Sequence, residues 1–153
     1  MEQHNKNIVC DLYNALAARD TNTVHRFLAP YIDWWFHGPP GYKNIMQLLT
    51  GSCVFGDTEV FKPLVVVGIG SIVVVEGYHI QEKQKTCWVH VWTVDDGKII
   101  TQVREYLNTS VNVFCFEKSN NVCLGSPRSP ECKNVWQSEL ADDDLVPHLF
   151  LVV

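Results

Sequence analysis

Asp95-Asp96-Gly97-Lys98 separates two long runs of β-branched and aromatic residues, and this pattern admits little besides a β-hairpin. A two-residue hairpin turn needs φ > 0 at its central positions, which Asp-Gly tolerates. The flanking runs, Thr86 to Val94 and Ile99 to Leu107, therefore read as paired antiparallel strands. Alternation puts Trp88, His90 and Trp92 on one face of the first strand, and Cys87, Val89, Val91 and Thr93 on the other. A two-residue turn opposes Val94 to Ile99, His90 to Val103 and Trp88 to Glu105. Val103, Glu105 and Leu107 then join the tryptophan face. A three-residue turn with a bulge slips the register by one residue and brings Arg104 to that face in place of Glu105.

Around this hairpin the chain reads as α+β. Ile8, Val9, Leu12, Tyr13 and Leu16 recur at helical steps and predict an amphipathic helix from about Asn5 to Ala18. Asp20 or Thr21 caps a second, short helix carrying Val24, Phe27 and Leu28, which stops before Pro30. Ile32 to His37 reads as a strand on which Trp35 and His37 share one face and Trp34 and Phe36 the other. A third helix is expected from Lys43 to Leu49. Val60 to Val67 is strand-like, with Pro63 marking an edge or a bulge. A turn at Gly68 to Ser71 and a strand from Ile72 to His79 follow, and Val111 to Glu117 completes the sheet. Three helices before a meander of strands imply helices packed on one face of a curved antiparallel sheet. Residues 1–118 form the core of one domain. The Ser119 to Lys133 loop and the tail to Val153, with its acidic run Asp142 to Asp144, are expected to pack on it.

The 153 residues are a single-domain length, enough to bury roughly two-thirds of the unfolded surface without a disulfide or metal. Hydrophobic residues at 46% and charged residues at 19% exclude a disordered chain. Twelve basic against seventeen acidic residues give a net charge of −5, which lacks the electrostatic footprint of a nucleic-acid binder. The apolar run Leu64 to Val75 is broken by Gly68, Gly70 and Ser71, so no membrane span is expected. The N-terminus reads as leaderless, and the six cysteines as reduced thiols of an intracellular protein.

Five Trp, five Tyr and seven Phe suit a concave binding site as well as a core. Trp35, His37, Trp88, His90, Trp92, Val103 and Leu107 are the expected lining of such a pocket. Glu105 and His90 are its candidate acid–base pair, since burial against apolar walls disfavours the charged carboxylate and suits it to proton transfer. The plainer alternative is that Trp88 and Trp92 are core and that Glu105 makes an ordinary cross-strand pair. No metal and no cofactor are expected. The odd spacing of Cys87 and His90 sends them to opposite faces, and Cys115, Cys123 and Cys132 stand eight and nine residues apart. Gly68-Ile69-Gly70 lacks the third glycine and following helix of a dinucleotide fingerprint.

Three stretches together resemble the plant wound-induced protein 1 family. They are Ala17-Ala18-Arg19-Asp20-Thr21-Asn22-Thr23-Val24, then Trp34-Trp35-Phe36-His37-Gly38-Pro39-Pro40, then Trp88 to Val94 with Ile100 to Tyr106. Val135-Trp136-Gln137-Ser138 and the apolar end from Val146 resemble that family's tail. The resemblance implies the SnoaL-like, nuclear transport factor 2-like fold: a cone-shaped α+β barrel with a pocket between helices and a curved sheet, commonly dimerising through the sheet. In the epoxide-hydrolase members of that superfamily a late strand acid works with an Arg–Asp pair. Glu105 is similar to the first, and the chain has no matching Arg-x-Asp.

Fold alone does not choose a function here. The first expectation is a cytoplasmic or also nuclear stress-associated protein that binds a small apolar metabolite, without catalysis or as an accessory to specialised metabolism. The second is a cofactor-free isomerase, lyase or cyclase using Glu105 with His90. The third is an interaction module that assists a pathway enzyme.

Overall fold

The computed structural model describes residues 2–37, 45–49, 61–81 and 84–107, together with short strands at 112–115, 135–137 and 150–152. The periodicity near the N-terminus forms α1, Glu2–Ala17, whose buried side carries Ile8, Val9, Leu12, Tyr13, Ala15 and Leu16. It closes on Arg19 at φ 58, with the Asp20 N–H bonded to the Ala15 carbonyl at 2.9 Å and the Arg19 N–H to that of Leu16 at 3.1 Å. These two bonds satisfy carbonyls that a helix end would otherwise leave open. Asp20 then caps α2, Thr21–Phe27, by accepting the Thr23 N–H at 3.2 Å. Pro30 lies just beyond the helix, where the chain has already become extended as β1, Leu28–His37.

After α3, Ile45–Leu49, come β2, Val65–Ile69; β3, Ile72–Gln81; β4, Gln84–Asp95; and β5, Ile99–Leu107. The sheet order is β1-β5-β4-β3-β2. From β2 to β5 the strands form the expected antiparallel meander, and β2 is an edge strand with Pro63 just ahead of it. Two features depart from the expectation. The sheet is mixed rather than wholly antiparallel, because β1 runs parallel to β5. It is also open between β1 and β2 rather than closed into a barrel, and the third helix is a five-residue piece. Local hairpin signals set the meander, whereas β1 reaches its partner across all the intervening chain and no local signal sets its direction.

Register decides which side chains meet. The turn places Asp96 at φ 51 and Gly97 at φ 61, with the Lys98 N–H on the Asp95 carbonyl at 3.0 Å. The first registered pair is Asp95 with Ile99, a slip of one residue from the two-residue expectation. A bulge beyond Ile100 adds a second slip, since Val94 opposes Ile100 while Thr93 opposes Gln102. Two slips restore the parity, so Glu105 stays on the tryptophan face but opposes His90 rather than Trp88. Val103 opposes Trp92, and Leu107 opposes Trp88.

The helix layer packs on this inner face. Tyr13 contacts the rings of Trp88, His90 and Trp92, and the core also takes in Val73, Val75, Val94 and Ile100. Gly77 opposes Trp88, and a Cβ there would stand 2.5 Å from Trp88 Cζ2 and 2.6 Å from the Lys62 carbonyl, so only glycine fits beneath the indole. The first turns of α1 are tied to two hairpin turns. Glu2 accepts the Gly70 N–H at 3.0 Å, Asn5 Nδ2 donates to the Gly70 carbonyl at 3.2 Å, and His4 Nε2 donates to the Gly97 carbonyl at 2.7 Å.

The chain divides into two compact units, Met1–Asn108 and Thr109–Val153. The second contains β6, Asn112–Cys115; β7, Val135–Gln137; and β8, Phe150–Val152, in the order β6-β8-β7. The strand expected at Val111 to Glu117 thus belongs to this separate sheet. The predicted Ser119 to Lys133 loop and the acidic run Asp142 to Asp144 lie outside the described residues.

Candidate functional site

Four of the side chains on or against the inner face, Trp92, Tyr13, His90 and Glu105, form one connected polar chain. Trp92 Nε1 donates to the Tyr13 hydroxyl at 3.0 Å, that hydroxyl meets His90 Nδ1 at 2.5 Å, and His90 Nε2 meets Glu105 Oε2 at 2.7 Å. The Ile45 backbone N–H points between the carboxylate oxygens, 3.0 Å from Oε1 and 2.9 Å from Oε2. His90 and Glu105 are both 0% exposed.

Donor arithmetic assigns the protons. The Trp92 N–H only donates, so the Tyr13 oxygen accepts from it and sends its own proton to His90 Nδ1. His90 Nδ1 is then the acceptor, and its Nε2–H donates to the Glu105 carboxylate. Any other assignment leaves a hydroxyl proton aimed at a donor or a carboxyl proton without an acceptor. Burial pushes the Tyr13 phenol well above its ordinary range, the Trp92 N–H pulls it back, and the Glu105 charge raises it further, so Tyr13 stays a donor. A hydrogen bond to a charged group contributes about 1.5–3 kcal/mol net, against about 1 for a neutral one, so the His90–Glu105 link is the strongest member.

Among the described residues Glu105 thus has two hydrogen-bonding neighbours, against a carboxylate's capacity for about four. Oε1 takes only a share of the Ile45 N–H, and retains room for a donor. Around it the wall grades from closed to half-open. Val73, Val75, Trp88, Trp92 and Val103 are at 0% exposure, while Ile32, Trp34, Phe36 and Met46 are only partly buried. Ile32, Trp34 and Phe36 make β1 one of the half-buried edges of the described inner face, and Val66 on β2 is another.

Of the lining expected from sequence, Trp88, His90, Trp92, Val103 and Leu107 come together with Glu105 on the inner face, all buried. Trp35 does not join them: in the parallel ladder it is beside Arg104, an outer-face position. The backbone of His37 pairs with Tyr106, and its side chain lies outside the described residues. Trp35 is 42% exposed, with the Arg104 guanidinium 5.0 Å from its ring. The strand parity was right and its sidedness inverted: Trp34, beside Val103, and Phe36, beside Glu105, face inward. Tyr13 and the Ile45 N–H were not anticipated as site groups. A tyrosine on an otherwise apolar helix face was the available signal, because a buried Tyr hydroxyl needs a partner. Among the described residues no cluster of metal-ligating side chains occurs, and no helix is long and apolar enough to cross a membrane.

The described core is that of the nuclear transport factor 2-like class. It is similar to an NTF2-like protein of Burkholderia xenovorans, with a TM-score of 0.53, 22% identity, and coverage of 70% of this chain and 91% of that one. It is also similar to a putative ketosteroid isomerase of Kribbella flavida, with a TM-score of 0.55, 13% identity, and coverage of 72% and 82%. Residues 46–153 match the family described as wound-induced protein WI12, and the chain belongs to that family. It is 43% identical over 96 residues to wound-induced protein 1 of Solanum tuberosum, covering 62% of this chain and 86% of the relative. It is 41% identical over 103 residues to a protein of Arabidopsis thaliana called senescence associated gene 20, covering 63% and 87%. The matched family segment contains His90 and Glu105, whereas Tyr13 and Trp34 precede it.

Proposed function

We propose that this plant stress-family protein binds a small, largely apolar metabolite on the inner face of its five-stranded sheet, beside β1, with Glu105 as the polar anchor. One observation carries the reading: a carboxylate at 0% exposure, fixed by His90 and the Ile45 N–H, keeps acceptor capacity next to half-buried aromatics. Isolated buried charges are costly, and a satisfied core needs no acceptor in reserve. Small-molecule sites commonly join apolar walls to a few fixed polar groups. Titrating the purified protein with hydroxylated apolar plant metabolites should shift its tryptophan fluorescence. Glu105→Gln should weaken those ligands and spare analogues that lack the hydroxyl. If no such compound perturbs the tryptophans, the reading fails.

A second reading is cofactor-free proton-transfer chemistry, favoured by the way Tyr13 pins the His90 ring from behind its Glu105 contact. Glu105 would take a proton from a carbon acid, and His90 would hold and polarise it. Here Glu105→Gln abolishes turnover while a product analogue still binds. Retained turnover in that variant would exclude it.

A further inference from the structure

Of the three indoles on the inner side of the sheet, Trp92 and Trp34 differ most in hydrogen bonding. The Trp92 N–H is built into the polar chain through Tyr13. The Trp34 N–H is buried and has no hydrogen-bond partner among the described residues, although the Trp34 ring packs on the core and stacks with Phe36 at 6.0 Å. An unsatisfied buried N–H costs about 1–3 kcal/mol, and such a group calls for an explanation. Phe would supply the same packing without that cost.

Trp34 also stands in a telling place. It neighbours Val103 on β5, while Glu105 neighbours Phe36 two positions further along the same face. Two residues along a strand and one strand across separate their backbones by roughly 8 Å, about the length of a bicyclic aromatic molecule. Phe36, which neighbours Glu105 on this face, is only partly buried, as is Trp34 itself.

We propose that Trp34 Nε1 is a ligand-recognition donor, and that the ligand is a flat, ring-bearing molecule with a carbonyl oxygen at one end and a hydroxyl at the other. The carbonyl accepts from Trp34, and the hydroxyl donates to Glu105 Oε1. This rests on the binding reading above and adds the ligand's polarity to it: an acceptor is required at the β1 end, and a donor at the Glu105 end. A phenolic aryl ketone has this pattern, whereas a pure hydrocarbon or a fatty acid lacks it.

Three matched probes test the assignment by calorimetry: 6-hydroxy-2-acetylnaphthalene, its 6-methoxy ether, and 6-ethyl-2-naphthol. The wild-type protein should bind the hydroxy ketone most tightly. Trp34→Phe should weaken that ketone about fivefold to tenfold, the worth of one hydrogen bond, and leave 6-ethyl-2-naphthol within twofold. Glu105→Gln should weaken the hydroxy ketone and leave the methoxy ether unchanged. Benzothienylalanine at position 34 keeps the bicyclic shape without the N–H. It should reproduce the selective loss, which guards against a packing defect in Trp34→Phe.

Equal loss for the ketone and the naphthol in both position-34 variants would overturn the assignment and leave Trp34 as packing, with the binding reading intact. Binding of none of the three probes to the wild-type protein would overturn the binding reading and this inference together.

Discussion

Helix α1 meets the sheet twice by hydrogen bonds, and the two meetings differ in kind. At the turn end, Glu2 and His4 reach the backbone of Gly70 and Gly97 from exposed positions. About two and a half to three helical turns further along, Tyr13 enters the polar chain with Trp92, His90 and Glu105, where all the groups are buried. Asn5 stands between the two, almost fully buried, with Nδ2 on the Gly70 carbonyl and Oδ1 without a partner among the described residues. At the turns, water can replace a lost partner, so each bond contributes little. In the core nothing replaces it, so removing one member strands the next. Geometry alone would rank these contacts as equals, and burial separates them.

The sharpest break of this contrast is Glu105→Ala, which leaves the His90 N–H and the Ile45 N–H facing a cavity. It should cost about 3–5 kcal/mol in denaturant unfolding. Tyr13→Phe removes one oxygen but strands both the Trp92 N–H and His90 Nδ1, and should cost about 1–3 kcal/mol. If Tyr13→Phe proved no worse than His4→Ala, burial would not be what separates the two regions.

Tyr13 also predicts the alkaline limit. Its folded pKa lies above the unfolded value near 10, so its contribution is complete below that pH and is lost as pH rises through the folded value. Wild-type Tm should therefore fall at alkaline pH, and Tyr13→Phe should fall less steeply. Tyr106, also raised by burial, supplies a remaining slope in both proteins.

At the exposed end, His4→Ala should cost less than about 1 kcal/mol. Comparable in size is Asp20→Ala, at the solvent-exposed cap of α2. The Thr23 hydroxyl and N–H hold the Asp20 carboxyl below its usual range. Its support is therefore present at neutral pH and vanishes as pH falls through that lowered value. The Tm difference between Asp20→Ala and wild type should close in acid.

Sequence alone made the hairpin and its strands legible because each signal was local. Asp96-Gly97 sets the turn, and alternation fixes which residues of β4 share a face. The Glu105 side survived two register slips only because they cancel in parity. The inward side of β1 was illegible, since Trp34-Trp35-Phe36-His37 alternates equally well either way. Its orientation comes from a parallel pairing with a strand some seventy residues on. Tyr13 was hidden differently: hydrophobic periodicity counts its ring and ignores its hydroxyl, and the partner that uses that hydroxyl lies in β4.

At the centre of the account is the direction of the protons between Tyr13 and Glu105, and nitrogen-15 NMR of the imidazole rings reads it directly, with His90 assigned by loss of its signals in His90→Gln. His90 should show an acceptor-type shift at Nδ1 and a protonated-type shift at Nε2. A doubly protonated ring, or the reversed tautomer, would contradict the account.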